Sequence, residues 1–411
     1  MFFFRVCLMA LRSLWIHPLR SVLATLGVII GVGAVVAAMA ILEGMSARFA
    51  SGFESMGSNK LFVTPNVRRR NNRLVGNFDS LKLDDATAIA RSCNAVDTVM
   101  PQINSSVLIK FLSKNTTASL LGATQDYQKI NSHFVKEGKF ISRANVQSKA
   151  SVAVLGAKIK RELFGGRPAL DAKIKISGAG TLGTRTFTVI GVMEEKGNVA
   201  FTDVDRQVIV PVTTAMDRLY GLDSIQAIVA EAVSPSDADI EAAKTQIKRL
   251  LRRRHKIRAG QQDDFQVQAQ KEFVKQFSQF TKILGIVLGS IAGISLVVGG
   301  IGIMNIMLVA VTERTREIGV RMAMGAQRSD VMNQFLIEAS IVSFLGGALG
   351  VLMGWGLANI IERLTRVFET LTTGWSIAMA LGMATLVGIV SGIYPAWKAS
   401  RLDPVEALRY E

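Results

Sequence analysis

TERTREIGVRMAMGAQRSD, residues Thr312–Asp330, separates two strongly apolar stretches, Ile283–Val311 and Val331–Ile361. It holds four Arg, two Glu and one Asp, where its flanks hold almost no charge. Glu317 and Arg321 stand at i,i+4 in the favourable order, and Arg314 lies i−3 from Glu317. Val311, Ile318 and Met322 share another face at near-helical spacing. Gly325 suits the position after a helix, and Ser329 or Asp330 can cap the next one. The pattern predicts a short, charged, capped helix held between two membrane spans and facing the cytosol.

Working outward, the 411-residue chain is 49% hydrophobic and 19% charged, with net charge +16. Its mean hydropathy is +0.32. Those values predict membrane helices joined to a sizeable water-soluble domain. Val22–Leu42 is long enough to span a bilayer, and longer than the 7–15 apolar residues typical of a cleaved leader. Before it, residues 2–17 have the pattern of a surface helix ending at Pro18. A fourth span opens at Trp375 and closes near Tyr394 and Trp397, as interface anchors do. Asp403-Pro404-Val405-Glu406 then starts a last short helix.

Small residues recur every fourth position: Gly285, Gly289 and Gly293 in span two, and Gly346, Gly350 and Gly354 in span three. Such stripes let helix backbones approach closely, within one copy or between two. Basic residues set the orientation. Arg5, Arg12 and Arg20 precede span one, four arginines lie between spans two and three, and Lys398, Arg401 and Arg409 follow span four. Four spans place these segments on one side, the cytoplasmic one. The long segment between spans one and two is then extracytoplasmic.

That segment alternates strand-like and helix-like stretches, an α+β pattern. Strands are expected at Lys60–Thr64, Val107–Leu112, Val152–Leu155, Lys173–Ile176, Thr186–Val192, Val208–Pro211, Ala227–Ala230 and Phe265–Gln268. Helices are expected at Asp84–Ser92, Lys158–Phe164, Thr213–Tyr220 and Pro235–His255, the last capped by Ser234. Phe273, Phe277 and Phe280 give Lys271–Lys282 an amphipathic face, and a stalk running into span two is expected there.

The chain contains no GxxxxGK[ST], HExxH, CxxC or GxSxG. Hence no catalytic, cofactor or metal residues are expected, and any ATP must be held elsewhere. The spans carry no ionisable group near their centres, which argues against an ion-coupled carrier. Glu338 comes nearest and is placed at headgroup level. Arg68–Arg70 and Arg252–Arg254 are not expected to bind nucleic acid on the outer side.

Three segments together are specific: LRSLWIHPLRSVLATLGVIIGVGAVVAAMAILEGM with MGSNKLFVTPN, GGIGIMNIMLVAVTERTREIGVRMAMGAQRSDVMNQFLIEA, and YPAWKASRLDPVEALRYE. They resemble the permease of MacB-type ABC transporters, in the wider FtsX-like superfamily, in a split form with the ATPase on a separate subunit. The resemblance implies two copies of this chain with two ATPase subunits beneath, where ATP and Mg would bind. It implies an outer domain with a porter-like part and an inserted lobe, and mechanotransmission through the spans. It also implies a periplasmic adaptor and an outer-membrane exit duct. The contact with the ATPase would fall to Glu313, Arg314, Arg316, Glu317 and Arg321. The expected fold is a membrane α-helical protein with four transmembrane helices and a large α+β extracytoplasmic domain between spans 1 and 2. The expected organisation is an N-terminal helix at 1–20, spans at 21–43, 283–311, 331–361 and 376–396, an outer domain at 44–270 and a stalk at 271–282. Between and after these come the coupling loop at 312–330, an outer loop at 362–375 and a C-terminal helix at 397–411. The function implied is efflux of drugs, peptides or other amphiphiles from the bacterial inner membrane. Lipoprotein extraction, as by LolC- and LolE-like permeases, and FtsX-like control of a cell-wall hydrolase are the alternatives.

Overall fold

The structure, a computed structural model, describes residues 18–409 except 55–56, 58, 67, 71–72, 76–78, 200–201 and 366–368. The surface helix expected at 2–17 lies outside these residues. Phe49–Phe277 forms one compact unit, and the segments on either side of it form a second. Four helical segments are long and apolar enough to cross a membrane: Thr25–Phe53, Gln270–Glu313, Arg328–Leu364 and Gly374–Ser400. The α+β domain thus lies in sequence between the first and second of them.

The first helix, α1 (Pro18–Glu54), runs past the apolar stretch that predicted it. The outer unit then supplies β1 (Lys60–Pro65), β2 (Arg68–Arg70), β3 (Arg73–Val75), α2 (Leu83–Ser92), β4 (Val96–Phe111), β5 (Lys114–Ala123) and α3 (Tyr127–Asn131). It continues with β6 (Val135–Gly138), α4 (Arg143–Gln147), β7 (Val152–Leu155), α5 (Ala157–Phe164), β8 (Lys173–Gly178) and β9 (Arg185–Met193). After β10 (Asn198–Val199) and β11 (Thr202–Asp203) come β12 (Gln207–Pro211), α6 (Val212–Thr214), β13 (Ala227–Ala232), α7 (Asp237–Arg254) and β14 (Phe265–Ala269).

Two lobes share β4. In the first, strands run in the order β14-β1-β13-β4, all antiparallel. Helices α2 and α7 cover one face, burying Ile89, Ile240, Ile247 and Leu251 against Leu61, Val63 and Ile228. In the second lobe β4, β5, β12, β7, β9 and β8 pair in turn, and β8 returns to β4. This closed ring leaves no free edge among its six strands. Alternate residues such as Val107, Ile109, Leu120, Ile174, Phe187 and Val208 fill its interior.

Some elements differ from expectation. β4 starts eleven residues before the expected strand, at Val96. Pro101 and the stretch Gln102–Ser106, in which only Ile103 is apolar, hide it in sequence. Pro101 is tolerated because this half of β4 pairs with β13 alone, so its missing N–H breaks no ladder on the second side. β5, rich in Lys, Asn and Thr, had no apolar signature at its start. The stretch expected to be one helix at Thr213–Tyr220 is a short α turn followed by a π-helical turn, Ala215–Tyr220. The cap of α7 is Ser236 rather than Ser234: Asp239 N–H donates to Ser236 Oγ at 3.2 Å, while Ser234 Oγ accepts from Ser236 N–H. Pro235 therefore precedes the cap.

The other unit contains most of α1, the length of α8 (Gln270–Glu313) beyond Phe277, α9 (Thr315–Ala323), α10 (Arg328–Thr365), α11 (Gly374–Ser400) and α12 (Pro404–Arg409). Its core includes Val28, Val32, Leu296, Ile303, Phe335 and Ala384. Helix backbones meet at small residues. A Cβ on Gly354 would fall 2.5 Å from Gly33 O, and one on Gly27 would fall 2.7 Å from Gly299 Cα. Gly346 and Gly350 lie on the same face of α10 and meet Val28 and Val32 of α1. The stripe on α8 is different. Gly285 meets only Leu42, and nothing among the described residues comes within 4 Å of a Cβ on Gly289 or Gly293.

The three stalk phenylalanines also divide. Phe273 meets Phe62 edge-on at 5.6 Å, and Phe277 stacks on Phe49 at 4.0 Å. Phe280 is 57% exposed. α8 is helical without a break from Gln270 to Glu313.

A rigid charged turn at the end of the second span

Arg314 interrupts the helix after Glu313, with φ −105° and ψ 15°. The interruption is slight, since Ile318 N–H still donates to Arg314 O at 3.0 Å. Thr315 is buried and its hydroxyl donates to the carbonyls of Val311 and Thr312, which anchors the new helix to the old one. α9 then turns Ile318 inward beside Val311, Val331 and Phe335, with Met322 packed against that cluster. At its far end Gly325 adopts φ +101°. Gly325 N–H donates to Met322 O and Ala326 N–H to Arg321 O, a Schellman closure that needs the glycine. The following helix begins at Arg328, one residue before the expected caps, and Asp330 accepts from Gln327 N–H at 3.0 Å.

Three contacts fix α9 and the turn before it against their neighbours. Arg321 forms an ion pair with Glu317 and donates to Gln334 Oε1 at 2.9 Å. Arg314 pairs with Glu338 of α10 at 3.4 Å, not with Glu317. Glu338 is 5% exposed: α10 carries it into a packed helix interface, where the guanidinium offsets its charge. Nothing local to Arg314 announces a partner 24 residues away. Finally, Gly319 faces Ala407 of α12, and a Cβ there would come within 2.7 Å of the alanine methyl. Asp403 starts α12 as its sequence suggests, accepting from Val405 N–H at 2.8 Å.

The five residues singled out by sequence are therefore not equivalent. Arg314 and Arg321 face the structure behind α9 with one-third or less of each side chain exposed. Glu313, Arg316 and Glu317 are exposed. Two exposed apolar residues share this surface, Val320 at 41% and Met324 at 78%. Charge reasoning missed both, although an apolar residue outside the buried stripe was a visible signal. The turn offers a firm, mixed polar and apolar contact surface and no catalytic constellation.

Residues 21–250 match the MacB-like periplasmic core domain family, and residues 289–404 match the FtsX-like permease C-terminal family. A macrolide export ATP-binding/permease protein MacB of Bdellovibrio bacteriovorus is 38% identical over 410 residues, 97% of this chain and 61% of that protein. One of Chlorobaculum tepidum is also 38% identical, over 98% of this chain and 61% of its own length. The chain thus spans about three fifths of these curated relatives. The crystal structure of the periplasmic region of MacB from Actinobacillus actinomycetemcomitans aligns at 21% identity and TM-score 0.44, over 56% of this chain and 96% of that one. The family matches fall on both units, and the chain belongs to the MacB-like, FtsX-like family of ABC transporter permeases.

Proposed function

We propose that this chain is the membrane subunit of an ABC exporter and that α9 is the surface a separate ATPase subunit grips. Two copies of the chain would pair in the inner membrane, with both termini cytoplasmic and two ATPase subunits beneath holding ATP and Mg²⁺. The observation that carries the reading is the rigidity of the turn. Arg314–Glu338, Arg321–Gln334 and Gly319–Ala407 tie α9 to two other helices, so a push on Arg316, Glu317, Val320 or Met324 moves the bundle and not a loop. Unbroken α8 supports transmission of that movement along the second span. The glycine face at Gly289 and Gly293, which meets nothing among the described residues, supports pairing with a second copy.

The work done would be mechanical: closing and opening of the outer domains expels a solute taken up outside the membrane. The relatives' names specify macrolide export; for this chain the expected cargo class is drugs, peptides or other amphiphiles. A periplasmic adaptor and an outer-membrane duct would complete the route.

The pair Glu317→Lys with Arg321→Glu tests the contact. It retains an i,i+4 ion pair, and Gln334 can still bond Glu at 321 through its amide, while the charge pattern offered to the partner reverses. Membrane insertion and melting should be unchanged, and co-purification with the ATPase and ATP-driven export should both fall at least tenfold. Export at the unmodified level would refute the reading.

A further inference from the structure

The outer unit encloses a cavity of about 440 Å³, within the size range of small-molecule sites. Its apolar wall includes Phe62, Met100 and Leu121. On the other side two lysines, Lys60 and Lys196, converge on one residue. Lys60 Nζ donates to Asn131 Oδ1 at 3.1 Å, and Lys196 Nζ donates to Asn131 O at 2.7 Å and Ser132 O at 2.9 Å. Lys60 is 0% exposed.

No carboxylate lines the cavity among the described residues. In register, Lys60 sits opposite Glu231 on β13, yet its ammonium bonds Asn131 instead, and Glu231 Oε2 is buried without a hydrogen-bond partner among the described residues. An ammonium has three donors; Lys60 spends one on Asn131 and Lys196 two on carbonyl oxygens, so both lysines bring donor capacity to the cavity they line. Two of the other polar groups are engaged with each other or the backbone: Tyr127 OH meets His133 Nδ1 at 3.2 Å, and His133 Nε2 meets Glu194 O at 2.9 Å. Two like charges in a low-dielectric recess are costly unless an anion completes them. Burial lowers the Lys60 pKa to about 8, Glu231 raising it and Lys196 lowering it further, which fits a cation short of a counter-charge.

We propose that this cavity binds a small amphiphilic anion, with a single carboxylate or phosphate between Lys60 and Lys196 and an apolar body against Phe62, Met100 and Leu121. Binding is a property of this chain by itself, so its failure would leave the export reading untouched.

The full chain in lipid nanodiscs is titrated calorimetrically with octyl phosphate and with octanoate, empty nanodiscs being subtracted. At least one should bind saturably at one site per chain. Octanol lacks the anion and inorganic phosphate lacks the apolar body, so each should bind at least tenfold more weakly. Lys60→Met and Lys196→Gln should each weaken binding at least tenfold, and Lys110→Gln, on an exposed part of β4, should not. Variants are first melted; if Lys60→Met fails to fold, the half-exposed Lys196→Gln decides. Equal binding of octanol, equal binding of inorganic phosphate, no saturable site, or indifference to Lys196→Gln would each overturn the proposal.

Discussion

Two buried ionisable residues in the outer unit act on stability in two separate pH windows. Asp85 is 3% exposed. Burial opposes its ionisation, but hydrogen bonds from Arg254 Nε at 2.7 Å, Lys82 N–H at 2.9 Å and His255 outweigh burial and hold its pKa below the ordinary value. Its stabilisation is complete above the unfolded value of about 3.9 and is lost as pH falls through the lower folded value. Asp85→Ala should cost about 1–3 kcal/mol at neutral pH, because Lys82 N–H and Arg254 lose their acceptor while His255 keeps Asp264, and should flatten the acid limb of the melting profile. At Lys60 the fold disfavours the charged form instead, yet the slope has the same sign. Between about 8 and 10.5 the unfolded chain binds more protons at this position than the folded one, so Lys60 makes stability rise with pH there. Lys60→Met should remove that rise, as read from thermal melts across the same window.

At the scale of elements, glycine position decides how helices meet. Gly354 has no room for a side chain, with Gly33 O and Val36 at contact. Gly354→Leu should destabilise the bundle by roughly 1–3 kcal/mol, the usual range for overpacking, and lower its Tm in detergent. Gly289→Leu meets nothing among the described residues. It should leave the Tm of the single copy unchanged and reduce chemical crosslinking between copies if α8 faces its symmetry mate. Equal effects of the two substitutions on the Tm would contradict this division. The Schellman turn makes a comparable case: Gly325→Ala forces a Cβ into φ +101° and should loosen α9, seen as faster proteolysis at Ala326–Arg328.

For the whole molecule the prediction concerns sidedness. The arginine-rich turn and the C-terminal helix should share the cytoplasmic side, and the MacB-like domain should face outward. In a cysteine-free background, Asn115→Cys in the exposed hairpin of β4 and β5 should react with a membrane-impermeant maleimide in intact spheroplasts. Arg328→Cys should react only after permeabilisation. Reversed labelling would invert the proposed direction of transmission. The outer domain's basic residues do not oppose this arrangement, because long domains are exported regardless of their charge.

Sequence alone determined the four apolar helices, the short charged helix after the second, the glycine that ends it and the α+β character of the segment between spans one and two. These are local properties: hydropathy, periodicity and cap chemistry act within a few residues. Tertiary structure decided what those residues touch. Arg314 finds Glu338 across 24 positions, Lys60 and Lys196 converge on Asn131 from distant strands and loops, and one glycine stripe packs within the chain while another does not. The closure of six strands into a ring was hidden for the same reason, since β8 meets β4 across more than sixty residues. Partners so far apart in sequence are chosen by the fit of whole surfaces, and no local pattern encodes that choice.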